Sequence, residues 1–110
     1  EAVPAMTEAR QYTCAGVVGG RIYVCGGWAG PQPVRSVERL DPQMRWWETM
    51  PPMLVARWGA SAGVVEGKLY ICGGLDDNRQ PLSSVERFDP SAVGGAAQGP
   101  WAEATPATPE

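Results

Sequence analysis

The sequence contains one unit twice, and this internal repeat constrains the fold more than any other feature of the chain. Residues 6–28 align with residues 53–75 at an offset of 47 and are identical at 12 of 23 positions. The segments SVERLDP (36–42) and SVERFDP (84–90) align at an offset of 48 and agree at six of seven positions. A tryptophan follows each of them. Periods of this length are typical of architectures in which like units stack to share a core. We therefore expect two stacked units.

Each unit predicts four short strands. Two apolar runs joined by Gly-Gly or Glu-Gly, at 15–27 and 62–74, predict a hairpin, because glycine readily adopts the positive φ of a tight turn. Their nearly continuous apolar character predicts strands covered on both faces. The SVER segments predict a third strand that ends in an Asp-Pro turn. The fourth strand carries Trp47 or Trp101. With 14 Gly, 11 Pro and no helical periodicity, the predicted class is all-β.

Composition excludes several kinds of function. The chain has no histidine, which excludes imidazole-based catalytic dyads and triads and histidine-ligated metal sites. The net charge of −3 provides no attraction to nucleic acid or to anionic membranes. No apolar run approaches the roughly 20 residues that a bilayer requires. We therefore expect no nucleic-acid partner, no membrane association, no metal and no cofactor.

The cysteines indicate the redox environment. The chain has three, Cys14, Cys25 and Cys72, an odd number without C-x-x-C spacing. A disulfide framework requires pairs, and a metal site requires clustered ligands. We therefore expect reduced, buried thiols and a cytoplasmic location.

The repeated pattern resembles the kelch motif. Each copy has Met-x3-Arg, then AGVV-x-Gly-(Arg/Lys)-x-Tyr-x-Cys-Gly-Gly, then SVER-x-Asp-Pro, then Trp. The resemblance implies two four-stranded antiparallel blades of a β-propeller, which form an incomplete ring. It divides the chain into one blade over residues 1–52, a second over 53–106 and a tail over 107–110.

Two blades alone leave two outer faces uncovered, because a propeller blade hides its faces only against neighbouring blades. The chain begins with Glu1 rather than Met and shows no signal peptide. We expect it to be part of a longer kelch chain. A short natural product and a trimer that closes a six-bladed ring remain open alternatives.

The resemblance also implies where a partner would bind. The loops at 7–13 and 54–60 and those at 28–35 and 75–83 would share one face, which kelch proteins commonly use to hold partner peptides. Arg10 and its counterpart at 57 match the loop arginine of the motif. Tyr12 lies where some kelch adaptors place a ligand-contacting side chain, and the counterpart, Gly59, offers none.

Candidate contact residues lie in these loops, mainly where the two copies differ, since such residues are not required by the blade. Exposed Trp, Tyr and Arg are also common in binding hot spots. Three alternatives remain: the arginines bond loop carbonyls, the tryptophans are tucked between blades, and residues 76–79 form an Asx-type turn. The candidates are Arg10, Tyr12, Trp28, Arg57, Trp58, Asp77, Asn78 and Arg79.

These observations predict a non-catalytic protein-binding module. The resemblance implies either substrate recruitment to a cullin-type ubiquitin ligase, which needs a BTB domain that these 110 residues lack, or binding of a cytoskeletal partner. One alternative is a mutarotase-like sugar isomerase that uses carboxylates and arginines. The other is a purely structural role, in which these blades complete a ring and other blades bind.

Overall fold

Two four-stranded antiparallel sheets contain most of the strands in the described residues. The computed structural model describes residues 2–92 and 99–104. Blade 1 has the strand order β1-β2-β5-β6, and blade 2 has the consecutive strands β7 to β10. The strands of blade 1 are β1 (Cys14–Val18), β2 (Arg21–Cys25), β5 (Val37–Asp41) and β6 (Trp46–Met50). Those of blade 2 are β7 (Ser61–Val65), β8 (Lys68–Cys72), β9 (Val85–Phe88) and β10 (Trp101–Glu103).

The remaining elements are short. A two-stranded sheet pairs β3 (Trp28–Ala29) with β4 (Gln32–Pro33), and a 3-10 turn spans Pro90–Ala92. No α-helix occurs in the described part of the chain. The all-β prediction and the four strands per unit are therefore confirmed, whereas the small β3–β4 hairpin was not predicted. The predicted tail at 107–110 lies outside the described residues.

The predicted hairpin turns form as expected. In blade 1, Gly19 and Gly20 have φ values of 59° and 77°. In blade 2, Glu66 and Gly67 have φ values of 50° and 75°. Both central positions of each turn are left-handed, which matches the twist of the flanking strands.

The Asp-Pro turns are held by the aspartate side chains. Asp41 Oδ1 accepts the N–H groups of Gln43 (3.0 Å) and Met44 (3.2 Å). Asp89 Oδ1 accepts the N–H of Ser91 at 3.0 Å. The N–H of Met44, and after it that of Gln43, lower the pKa of Asp41, because they stabilise the carboxylate form.

The main core lies between the two blades. Strand β1 packs against β7 and β8. The ring of Tyr23 on blade 1 contacts that of Phe88 on blade 2 at 5.2 Å, and Phe88 contacts Trp101 at 5.0 Å. The blades approach so closely that a Cβ at Gly16 would lie 2.6 Å from Leu69 Cδ1. The stacked units predicted from the repeat therefore share one core.

The two copies are unequally buried. Tyr23 and Cys25 of blade 1 are each 1% exposed, because they face blade 2. On blade 2, the counterpart Tyr70 is half-buried and the counterpart Cys72 is exposed. Val65 of blade 2 is likewise 57% exposed. Two expectations are therefore wrong: β1 and β7 are not covered on both faces, since Val17 of β1 is 58% exposed, and Cys72 is not buried. The reason is that, among residues 2–92 and 99–104, no further sheet packs on the outer face of either blade.

Candidate functional site

The two predicted sets of loops meet at one end of the blades. In blade 1, Gln11 and Trp28 exchange backbone hydrogen bonds of 3.0 and 2.8 Å. In blade 2, the equivalent pair, Trp58 and Leu75, exchanges bonds of 3.2 and 2.8 Å. We call this end, formed by residues 7–13, 28–35, 54–60 and 75–83, the rim.

On the rim, the ring of Trp58 contacts two other aromatic rings. Trp28 meets Trp58 edge-on, with 5.5 Å between ring centroids and 81° between planes. Tyr12 is tilted against Trp58 at 5.6 Å. Together with Gln11 and Arg79 these rings line an open cleft of about 440 Å³, which we call the aromatic cleft. Four of the eight candidate residues thus come together in one place.

The two tryptophans are fixed at the junction of the blades. Trp28 Nε1 donates to the carbonyl oxygen of Gly30 at 3.0 Å, and Trp58 Nε1 donates to that of Asp76 at 3.1 Å. Both side chains are half-buried, so the alternative in which they are buried between the blades is correct in part. Because their N–H groups already have partners, the rings offer mainly apolar surface to the cleft.

Tyr12 has a left-handed backbone conformation, which glycine adopts more easily than tyrosine. Its φ is 57°, and its side chain is 59% exposed. The equivalent residue of blade 2, Gly59, has φ 70°. A left-handed conformation costs a non-glycine residue about 1–2 kcal/mol, and such strain tends to persist at functional sites. The ring at position 12 is therefore better explained by a role on the surface than by one in the core.

The loop that carries the last three candidates is an Asx-type turn, as the structural alternative predicted. Asp76 Oδ1 accepts the N–H groups of Asn78 (2.8 Å) and Gln80 (2.9 Å). Arg79, at φ 60°, lines the aromatic cleft. Asp77 instead lines a separate groove, and Asn78 is exposed but lines neither of the two.

Arg57 is 1% exposed and lies inside blade 2. Its Nη1 donates to the carbonyl oxygens of Gly73 (2.9 Å) and Ser84 (3.0 Å). Its Nε and Nη2 donate to Glu86 Oε2 at 3.2 and 2.9 Å. Glu86 also accepts the N–H groups of residues 54 and 55. The arginine therefore joins the incoming loop to β9 and to the residues next to the ends of β8 and β9.

Arg10 repeats this arrangement in blade 1. Its Nη1 donates to the carbonyl oxygens of Gly26 (3.1 Å) and Ser36 (2.9 Å), and its Nη2 pairs with Glu38 at 3.1 Å. Its side chain is 1% exposed. Both arginines thus bond loop carbonyls, the alternative stated above. The prediction that they contact a partner is not supported by their positions, because neither guanidinium faces outward.

Two features of the site and of the strands that support it were missed in the sequence. The carboxylates Glu38 and Glu86 are buried partners of the loop arginines, and the signal was that both charges recur at the same place in each copy. Gln11 also lines the cleft. The one indication in the sequence was that the two copies differ at this position, where the second copy has Trp58.

The described residues contain no group of three or more side chains able to hold a metal ion. None of their helical segments has the length and apolar character needed to span a bilayer.

Comparison with known families agrees with the repeat. The family model described as Kelch motif matches the chain twice, over residues 9–54 and 56–92. No curated protein matches the chain.

Proposed function

This chain belongs to the kelch family, whose repeats form β-propeller interaction modules, and we propose that it binds a protein segment in the aromatic cleft. The two sheets, blades of an incomplete ring, act as a scaffold for this site. The observation that carries the proposal is that Trp58, from a loop of blade 2, contacts both Tyr12 and Trp28, from loops of blade 1.

The chemistry of the cleft favours a peptide with an apolar or aromatic anchor next to an acidic group. Ring surfaces bury large apolar area and lose little side-chain entropy on binding. Arg79 at the edge of the cleft supplies a guanidinium, which pairs well with a carboxylate. The rim loops are tied to each other by backbone hydrogen bonds, so little ordering is needed when a peptide docks.

Selection from a random peptide library displayed on phage tests this proposal. We expect selected peptides to contain an aromatic or large apolar residue beside Asp or Glu. Trp58→Ala should weaken their binding at least about tenfold, since truncating a hot-spot aromatic costs about 2 kcal/mol or more. Trp46→Ala is the matched control, because Trp46 is 52% exposed on the outer strand of blade 1, where it pairs with Asp41 at the end away from the rim. Peptides that bind both variants as they bind the parent chain would refute the proposal.

The buried ion pairs support a non-catalytic role over the mutarotase-like alternative. Arg57 and Glu86 are each enclosed in blade 2, and Arg10 and Glu38 are enclosed in blade 1. Neither pair presents its charges to a common pocket where a sugar could bind. Proton NMR of free sialic acids with the chain checks this: we expect no interconversion above background, and a clear rate would favour the enzyme.

We propose that the chain binds its partner in the cytoplasm, where the three free thiols would remain reduced in the resting state. A role as substrate receptor of a cullin-type ligase predicts a BTB domain in the parent protein. A cytoskeletal role predicts co-sedimentation with filaments. The full reading frame and a sedimentation assay distinguish these two.

A second binding surface is the open face of blade 2. Tyr70, Cys72 and Val65 correspond to residues that blade 1 buries against its neighbour, so this face has the chemistry of a blade interface. We assign to it a further blade, from a longer chain or from a second copy in a trimeric ring. Light scattering tests the trimer, which requires three times the chain mass of 11.7 kDa. A monomer at high concentration would contradict it.

A further inference from the structure

Two thiols face each other inside blade 1. Cys14 on β1 and Cys25 on β2 are direct partners in the antiparallel register. Both belong to the core cluster between the blades, and they are 8% and 1% exposed. Cys14 Sγ donates a weak hydrogen bond to the carbonyl oxygen of Cys25 at 3.7 Å. The proposed function makes no use of these thiols.

This arrangement places the two cysteines close to the geometry that a disulfide requires. Residues directly opposite each other in antiparallel strands have Cα atoms about 4.5 or 5.5 Å apart. A disulfide accepts Cα separations of about 4.4–6.8 Å and Cβ separations of about 3.5–4.5 Å. The Cβ atoms of opposed residues are about 4.5–5.5 Å apart, so the two strands need to close by about 1 Å at most.

The surroundings of the pair favour ionisation of Cys14. A hydrogen bond from the Cys25 thiol stabilises the Cys14 thiolate and lowers the pKa of Cys14, and the Arg57 guanidinium acts in the same direction. The same hydrogen bond, followed by burial, raises the pKa of Cys25. The more exposed member of the pair is thus also the better nucleophile.

We propose that Cys14 and Cys25 are a reversible oxidation site that forms a cross-strand disulfide in response to peroxides. The Cys14 thiolate attacks one peroxide oxygen, the O–O bond breaks, and hydroxide leaves and is protonated to water, which gives a sulfenic acid. The Cys25 thiol then attacks the Cys14 sulfur, the S–O bond breaks, and a second water leaves. The two thiols lose two electrons and two protons, and the peroxide is reduced to two waters. A dithiol reductant restores both thiols.

Blade 2 provides an internal control. Its equivalent register pair is Ser61 and Cys72, so the second copy cannot form the same bond. The serine shows that this strand position tolerates the replacement of sulfur by oxygen. Cys14→Ser therefore gives blade 1 the pair that blade 2 already has. Cys72 is exposed and serves as a reference for ordinary thiol reactivity.

Peptide mapping of the full chain after hydrogen peroxide treatment tests the proposal. The reaction is quenched with N-ethylmaleimide in denaturant, and the chain is cut with trypsin. Cleavage after Arg21 separates the two thiols into peptides 11–21 and 22–35, while Cys72 lies in peptide 69–79. A Cys14–Cys25 bond therefore appears as a linked pair of peptides that is two hydrogens lighter than the sum of the reduced peptides.

We expect this linked pair to become the main form in the parent chain and in Cys72→Ser, to disappear in Cys14→Ser, and to be reversed by dithiothreitol. Peptide 69–79 should carry the maleimide in the parent chain. Recovery of peptides 11–21 and 22–35 from the oxidised parent chain with both thiols alkylated would overturn the proposal. Linkage of Cys25 to Cys72 instead of to Cys14 would also overturn it.

Discussion

Removal of the Arg57 side chain should test how the blades hold their rim loops. In the folded chain this guanidinium makes five hydrogen bonds, to two carbonyl oxygens, to the hydroxyl of Ser84 and twice to Glu86. The side chains of Arg57 and Glu86 are both 0% exposed. Arg57→Ala therefore leaves a buried carboxylate without its counter-ion and removes a donor from two carbonyl oxygens. Of these two, the oxygen of Ser84 keeps the N–H of Gly73 as a donor.

The expected cost is large for a chain of this size. Breaking a buried ion pair by removing one partner costs about 3–5 kcal/mol, mainly because the remaining charge stays buried. Total stabilities of small domains are about 5–15 kcal/mol, so Arg57→Ala should remove a large fraction of the stability. Glu86→Ala should cost about the same, since it leaves the arginine buried and unpaired.

Urea unfolding followed by tryptophan fluorescence measures these costs, together with the double variant Arg57→Ala/Glu86→Ala. Either single change already leaves the other charge buried without its partner. The double variant should therefore lower the free energy of unfolding by about 3–5 kcal/mol and not by the sum of the two single effects. Arg21→Ala is the matched control: Arg21 pairs with Asp41 at 3.5 Å and is 43% exposed, and such surface pairs contribute less than about 1 kcal/mol. Arg57→Ala costing no more than this control, or additive effects of the two single changes, would refute the reasoning.

Three further predictions concern the strained tyrosine, an Asp-Pro turn and the unequal copies. Tyr12→Gly should be more stable than Tyr12→Ala by about 1 kcal/mol in urea unfolding, since only glycine relieves the left-handed strain; equal stabilities would contradict this. Asp41→Asn should be less stable than the parent chain at pH 7. Because the pKa of Asp41 is lower in the folded chain than its usual value of 3.8, its carboxylate stabilises the fold above pH 3.8, and this stabilisation is lost as the pH falls through the pKa of the folded chain. A difference in stability between Asp41→Asn and the parent chain that persists at low pH would contradict this prediction. Tyr23→Ala should cost about 3–5 kcal/mol, whereas Tyr70→Ala in the monomer should cost clearly less; similar losses would show that both faces are covered.

The features that follow from local chemistry could be predicted from the sequence. Gly19 and Gly20 define a two-residue turn, and Asp41 before a proline defines the next one, because each depends only on nearby backbone. The register of β1 and β2 follows from that turn as well. The opposition of Cys14 and Cys25 was therefore predictable in principle, but counting cysteines and looking for C-x-x-C spacing did not reveal it.

The features that depend on how the blades stack could not be predicted in this way. Trp28 and Trp58 are 30 residues apart and touch only because the two sheets pack face to face at a particular angle. The burial of Arg57 depends on a loop folding back over its own sheet, which a motif match does not specify. Cys72 was expected to be buried like the other two thiols, yet the exposure of Cys72 and of its counterpart Cys25 depends on which face of each blade has a neighbour.

The most direct test of the aromatic cleft is two-dimensional NMR of the tryptophan indole N–H groups during titration with a selected peptide. The chain has five tryptophans, so each indole signal can be assigned by single substitution. Binding in the cleft predicts that the signals of Trp28 and Trp58 shift and that those of Trp46 and the buried Trp101 do not. Saturable shifts at Trp46 with no change at Trp28 and Trp58 would place the partner elsewhere and contradict the account.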